Sequence, residues 1–370
     1  MGKCGGSVAT NCRLIVIIAA LLLTIGCGGA GPVTPPPLVP TAFVFIEQYP
    51  AGAAQPFSMT PIIGTFDATG QFVATKVMDP ATQQPLSLAI QDASLSPDGK
   101  KVVFTLRDEG GFNIYIANAD FSEKVKLTHV QQGYSLQPQF TPDGKRIIYV
   151  SNPDHLTCRD DQIRVMDLDG SNQQLLHCGG PANVINSVYQ VTISPDGRKI
   201  AAEVSGFSDV NLAHFLKPYG IAIMNSDGTN YTQLTGSMPR SPNGPDTCPN
   251  GDTFQADRTP SFSTDGSKIL FSRLCKAKDN SGDYETIYSM NIDGTHPAAL
   301  LNNGTVGAMD DHPLPLAVPN RIIFSSNRSA PNTVSGFELY SMNNDGTGVT
   351  RLTNNNVFDA FTARLLPSHP

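Results

Sequence analysis

The sequence predicts an all-β chain: a six-bladed β-propeller of four-stranded antiparallel blades, the first blade closed by the C-terminal strand. Three observations predict it. First, a turn phrase recurs every 45 to 70 residues or so, as Ser96-Pro97-Asp98-Gly99-Lys100, Thr141-Pro142-Asp143-Gly144-Lys145, Ser194-Pro195-Asp196-Gly197-Arg198 and Ser263-Thr264-Asp265-Gly266-Ser267. Second, each copy runs straight into a β-rich segment, such as Val102-Val103-Phe104, Ile147-Ile148-Tyr149, Ile200-Ala201-Ala202 and Ile269-Leu270-Phe271. Third, the two ends of the repeat region are incomplete in complementary ways.

Each unit reads as four strands. The first ends at the Pro-Asp-Gly turn, where Pro presets φ and Gly accepts the positive φ. The β-rich run after it is the second. The third alternates, as in Asn113-Ile114-Tyr115-Ile116, Gln162 to Met166, Gly220 to Met224, Thr286 to Met290 and Glu338 to Met342. A second turn follows in four units, at Asp169-Gly170, Asp227-Gly228, Asp293-Gly294 and Asp345-Gly346. The fourth strand ends in Leu127-Thr128, Leu175-Leu176, Leu234-Thr235, Leu300-Leu301 or Leu352-Thr353. Residues 41–90 supply only later strands, at Phe43 to Ile46, Ile62 to Phe66 and Phe72 to Ala74. The C-terminus supplies one strand too many, Asp359 to Pro367, which completes the first blade and removes an open edge. The sixth unit is degenerate at its first turn, Val318-Pro319-Asn320-Arg321.

The pattern Asp-x-x-Pro-x-Phe-Ser-x-Asp-Gly, followed by an aliphatic strand, Ile-Tyr-x-Met-Asn-x-Asp-Gly-Thr and Leu, resembles the TolB-type β-propeller repeat. Residues 257–301 carry it best. The resemblance covers 41–370 and implies the propeller fold; it is specific for fold and uninformative about ligand. TolB itself has an added α/β domain, which these residues do not encode. The repeat also occurs in propellers fused to prolyl-oligopeptidase-type hydrolases, whose Gly-x-Ser-x-Gly elbow is absent here.

The chain has 370 residues, 40% hydrophobic and 15% charged, with 33 Gly and 29 Pro to supply many tight turns. A net charge of −7 without any Lys/Arg run opposes nucleic-acid binding. Trp is absent, and with it the Trp-Asp ending of standard WD repeats.

Residues 1–26 read as a lipoprotein signal peptide. Lys3 and Arg13 precede an apolar stretch, Leu14 to Ile25, well short of the roughly twenty residues that span a bilayer. Leu23-Thr24-Ile25-Gly26-Cys27 resembles a lipobox, with Thr24 at the usual Leu position, and implies lipidation of Cys27 and a membrane anchor. Gly28 after the anchor points to the outer membrane, facing the periplasm or the cell surface. Residues 27–40 form a Gly/Pro-rich tether, and 41–370 the propeller. Export makes disulfides the expectation for Cys158, Cys178, Cys248 and Cys275, with three possible pairings. Placement about the turn Asp167 to Gly170 favours Cys158 with Cys178. That leaves Cys248 with Cys275 to tie an inserted loop to a strand.

Counting eight residues back from each turn Asp, or its counterpart, gives Ile90, Ser135, Val188, Asp257, Asp311 and Asp359 at the channel rim. Arg258, Asp310 and His312 flank them. The functional reading is an acidic docking sector for a basic peptide segment, or a cation site. The local reading is that each Asp orders its own strand. Two insertions, Gly206 to Tyr219 (with His214, Phe215 and Leu216) and Gly236 to Gln255, could add contacts. His155, His177 and His214 have no ligand spacing. The expectation is a monomeric, non-catalytic module that binds an envelope protein or peptide, without cofactor, metal or nucleic acid. The competing expectation is a glycan lyase or hydrolase using the channel. A lyase would need a convergent His/Arg/Lys set, and an acidic rim would repel an anionic polymer.

Overall fold

A computed structural model of the chain describes residues 42–49, 58–67, 69–131, 133–152, 161–178, 186–206, 219–236, 247–301, 305–317, 320–329, 336–354 and 358–360. All belong to one compact unit, Pro37–Pro370. The signal segment, Cys27, the tether, Cys158, His155, the His214-Phe215-Leu216 insertion, residues 237–246 of the second insertion and the last residues of the closing strand lie outside the described residues.

The described chain is almost all strand. β1 (Ala42–Tyr49) pairs with β2 (Ser58–Phe66), and β2 with β3 (Phe72–Lys76). Next come β4 (Ile90–Leu95), β5 (Lys101–Asp108), β6 (Gly111–Asn118) and β7 (Val125–Lys126), then β8 (Tyr134–Phe140), β9 (Arg146–Asn152), β10 (Gln162–Asp167) and β11 (Gln174–Cys178). One parallel pair, Phe112 with Tyr134, links these two sets into a single eight-stranded sheet. Three four-stranded antiparallel sheets follow. The first is β12 (Asn186–Ile193), β13 (Lys199–Gly206), β14 (Gly220–Asn225) and β15 (Thr232–Gln233). The second is β16 (Thr253–Phe262), β17 (Lys268–Lys276), β18 (Asp283–Asn291) and β19 (Ala298–Ala299). The third is β20 (Asp310–Leu316), β21 (Arg321–Ser326), β22 (Glu338–Asn343) and β23 (Thr350–Arg351). Finally β24 (Phe358–Ala360) returns to β1, with Ile46 opposite Ala360 and Glu47 opposite Asp359.

Alternation along the second strands explains the core. Successive side chains point to opposite faces of a strand, so a continuous apolar run serves two neighbours. Val102 and Phe104 face the β1–β2 side, while Val103 faces Ile147 and Tyr149. Ile148 and Ile200 share one apolar cluster, Ala201 and Ile269 another, and Leu270 and Ile322 a third. In a sixth cluster Phe43, Phe45 and Ile62 of the first sheet pack on Leu316, Ile323 and Leu339 of the last. Each such buried side chain contributes about 1.5–3 kcal/mol.

The Leu-Thr ending has a backbone explanation. Leu127, Leu234 and Leu352 donate their N–H to Ile114, Ile221 and Leu339 of the third strands, at 2.8, 2.7 and 2.8 Å. The next hydroxyls, of Thr128, Thr235 and Thr353, accept the N–H of those same residues at 2.9, 3.0 and 2.9 Å. The hydroxyl thus replaces a ladder carbonyl where the fourth strand peels away.

Neighbouring units also meet through their second turns. A Cβ on Gly170 would lie 2.8 Å from the Leu127 carbonyl oxygen, and one on Gly228 or Gly346 would lie 1.9 Å from that of Leu176 or Leu300. The glycines permit this close approach.

Cys248 and Cys275 form a disulfide, at a sequence separation of 27. Cys178 is also disulfide-bonded.

Candidate functional site

Ladder partners fix which inner-strand residues are equivalent. Leu95, Phe140, Ile193, Phe262 and Pro315 each pair with the opening apolar residue of the second strand. Stepping back five residues gives Ile90, Ser135, Val188, Asp257 and Asp310. The counterpart of Asp257 is therefore Asp310, not Asp311. The sixth unit lacks the Asp-Gly turn that anchors the count elsewhere, and this shifts the sequence alignment by one residue.

The predicted rim carboxylates Asp257, Asp310 and Asp311 are buried rather than open. Asp257 has no exposed surface and takes a two-pronged ion pair from Arg273, Nε–Oδ1 and Nη2–Oδ2 both at 2.7 Å. Arg273 is itself fully buried, lies 4.5 Å from the Tyr288 ring centroid, and donates Nη1 to the Thr247 carbonyl at 2.7 Å. Asp310 repeats the arrangement with Arg328 Nη2 at 2.8 Å and Ser326 Oγ at 2.6 Å. These two carboxylates order their own unit, because a buried charge is tolerated only when paired. Asp359 joins the set only through the backbone pairing of β24 with Glu47.

Asp311 and Arg258 share the next register position, and both reach the preceding unit. Asp311 Oδ1 accepts from Thr259 Oγ1 at 3.0 Å and Ser272 Oγ at 3.1 Å, while Oδ2 meets His312 Nδ1 at 3.0 Å. Arg258 stacks 5.2 Å from the Tyr219 ring centroid, and Tyr219 lies 5.0 Å from Tyr189. Tyr189 is exposed.

The third position forms a polar ring. It holds Asp92, Gln137, Gln190, Thr259 and His312. Each of the five inner strands has a bulge here, and bulges re-aim side chains. In three of them the residue before Pro138, Pro260 or Pro313 takes a left-handed conformation: Gln137 (φ 57), Thr259 (φ 49) and His312 (φ 54). Asp92, Gln137, Gln190 and His312 border a cavity of about 200 Å³ where β1, β4, β8, β12, β16 and β20 converge.

Carboxylates also latch one unit to the next. Asp92 Oδ2 accepts the Gln137 N–H at 3.2 Å, Asp161 Oδ2 that of Val188 at 3.1 Å, and Glu203 Oε2 that of Thr259 at 2.9 Å. Burial pushes Asp92 up to about 6, against hydrogen bonds from Thr105 and Gln137. Burial likewise pushes Glu203 up to about 7, opposed by the Thr259 N–H and by Arg258 and His312 and assisted by Asp311. The cavity thus offers amides, hydroxyls, an imidazole and one acidic group that titrates near neutrality. Among the described residues no group of three His, Cys, Asp or Glu side chains is disposed to hold a metal ion.

Sequence reasoning brought Arg258, Asp311 and His312 to this place but missed Asp92, Glu203, Arg273 and Arg328. Asp92 was legible in principle, since it holds the register position of His312. The arginines lie on or just beyond second strands, on the side of the first turn that the count back from it did not follow. His177, which has no ligand spacing in the sequence, stacks on Tyr231 with ring centroids 4.5 Å apart.

Residues 87–255 match a family model described as the TolB beta propeller domain. TolB from Acinetobacter baumannii aligns with a TM-score of 0.57 at 15% identity, over 87% of this chain and 65% of that one. A putative TolB from Agrobacterium tumefaciens aligns with a TM-score of 0.54 at 18% identity, over 87% of this chain and 90% of that one. At such identities the likeness is one of fold. Dipeptidyl-peptidase 5 of Porphyromonas gingivalis is 33% identical over 79 residues, 19% of this chain and 11% of that protein's length. Residues 87–255 thus match the TolB β-propeller domain in sequence, and the chain resembles TolB propellers in fold over 87% of its length.

Proposed function

We propose that this chain is a lipid-anchored cell-envelope β-propeller that binds a basic peptide segment of an envelope protein at its channel, without catalysis. The observation that carries the reading is the cavity ringed by Asp92, Gln137, Gln190 and His312. Neutral amides suit main-chain groups, and Asp92 supplies one carboxylate for a Lys or Arg tip. A volume of about 200 Å³ suits one inserted side chain rather than a drug-sized ligand, whose pockets run to roughly 300–1,000 Å³. Arg258, Tyr219 and Tyr189 extend the contact at the rim. The buried Asp257 and Asp310 hold the rim strands in place, and Asp311 positions His312. Asp359 belongs to the strand that closes the rim.

The reading includes six blades, with β24 and the residues after it completing the first. The β24–β1 pairing and the apolar cluster between the first and last sheets support this. It also includes residues 1–26 as signal peptide, 27–40 as tether, 41–370 as propeller, lipidation at Cys27, a Cys158–Cys178 bond and a monomeric state at the outer membrane. The apolar stretch before Cys27 supports export.

The test is crosslinking capture from the native envelope, quantified by mass spectrometry, comparing wild type with an Asp92→Asn/His312→Ala variant of unchanged melting temperature. A protein captured by wild type and lost in the variant is the expected result. Equal capture by both would remove the channel from the reading.

A further inference from the structure

The seam between the fifth and sixth units differs from those before it. At three earlier seams a first-turn glycine faces the proline of the preceding turn: the Cβ position of Gly144 lies 3.6 Å from Pro97, that of Gly197 4.0 Å from Pro142, and that of Gly266 3.5 Å from Pro195. At the seam that follows these, both partners are replaced. Thr264 stands where the other turns have Pro, and Pro319 stands where they have Gly. The left-handed residue beside the start of β21 is Asn320 (φ 63).

A cavity of about 520 Å³ opens at this seam, between the Ser263 to Lys268 turn and the start of β21. Its volume lies within the roughly 300–1,000 Å³ of small-molecule sites. It has two chemically distinct regions. The floor is aliphatic: Leu270, Leu300, Pro315 and Ile322. The rim is polar and carries one charge of each sign: Asp265, Lys268, Ser289 and Asn344 among its residues. Lys268 is also differently placed from its counterparts. Lys101 and Lys199 donate Nζ to Asn118 and Asn225, both at 2.8 Å. Among the described residues the Lys268 ammonium and the Ser289 hydroxyl make no hydrogen bond, and both border the cavity.

We propose that this seam cavity is a binding site for a neutral amphiphile, an aliphatic chain carrying a hydroxyl or amide head. The aliphatic floor takes the chain. The Ser289 hydroxyl, the Asn344 amide and the Lys268 ammonium take the head, and one charge of each sign at the rim, Asp265 and Lys268, disfavours a strongly charged one. The site is separate from the channel and independent of its proposed role.

The test uses hexyl β-D-glucoside below its micellar concentration, with methyl β-D-glucoside as the chainless control, titrated into the full chain by calorimetry. Saturable binding of the hexyl compound, at least about tenfold tighter than the methyl compound, is expected from burial of the added methylenes. Ser289→Leu fills the cavity and is expected to abolish binding. Asn344→Ala lies in an exposed turn and is expected to weaken binding several-fold at unchanged melting temperature, so the proposal stays testable if the first variant does not fold. Absence of saturable binding to wild type, or binding unaltered by Asn344→Ala, overturns the proposal.

Discussion

At the residue scale, glycine serves two separable purposes here. Gly99 takes φ +70 with nothing near its Cβ position, so Gly99→Ala is expected to cost only the left-handed conformation, about 1 kcal/mol. Gly228 takes φ +84 with the Leu176 carbonyl oxygen 1.9 Å from its Cβ position. Gly228→Ala must also push neighbouring units away from each other and is expected to cost about 3 kcal/mol or more. Equal losses in denaturant unfolding would show that the close approach is not what matters. The Arg273–Asp257 pair gives a second contrast. Arg273→Met strands a buried carboxylate and is expected to cost about 3–5 kcal/mol, whereas adding Asp257→Leu should recover most of it. A double variant no more stable than the single would refute that account.

At the scale of elements, the segment before β16 is held by several ties. The disulfide joins Cys248 to β17, Tyr284 Oη donates to Asp252 Oδ2 at 2.7 Å, and the Lys278 N–H donates to Asp252 Oδ1 at 3.0 Å. Replacing both cysteines with Ala is expected to lower stability by about 3–4 kcal/mol, given the separation of 27 residues. Unfolding unchanged by the replacement would mean the polar ties alone suffice. This element was legible because two cysteines and a proline-rich insertion announce it. The turns and second strands were legible for the same reason: Asp-Gly and β-branched runs act locally. The polar ring was legible only at His312 and, in principle, at Asp92. Glu203 and the Asp310 register depend on contacts between units and on bulges, and neither leaves a local signature. Asp257 and Asp310 follow the local reading rather than an open acidic rim: Arg273 and Arg328, on the other side of the first turn, pair with them.

At the scale of the whole molecule, the latches between units make stability depend on pH. Asp92 and Glu203 titrate near about 6 and 7 when folded, above the ordinary carboxylate range. The folded chain therefore holds protons that the unfolded chain has released. Their contribution is full below about pH 4 and is lost as pH rises through about 6 to 7. Turn aspartates work oppositely. The Ser96 hydroxyl and Lys100 N–H hold Asp98 below its usual range, so its contribution is lost only in acid. Stability is expected to peak near about pH 5. Glu203→Gln, which keeps an acceptor for the Thr259 N–H, should flatten the decline between about pH 5 and 7. A chemical-denaturation profile equally steep in that variant would assign the decline to other groups.

The glycine contact between units has a further consequence for how such a chain lengthens. The third unit carries both halves of it: Gly170 reaches back to the Leu127 carbonyl, and the Leu176 carbonyl receives Gly228 of the next unit. A unit copied in tandem within its gene would arrive already able to grip its neighbours on both sides. Between Thr264 and Asn320 this contact persists, with Gly346 against the Leu300 carbonyl, but the first-turn partners no longer match. Copies made elsewhere could be absorbed without new invention. There, a lineage that lost the ordinary fit would keep an opening free to acquire a use of its own.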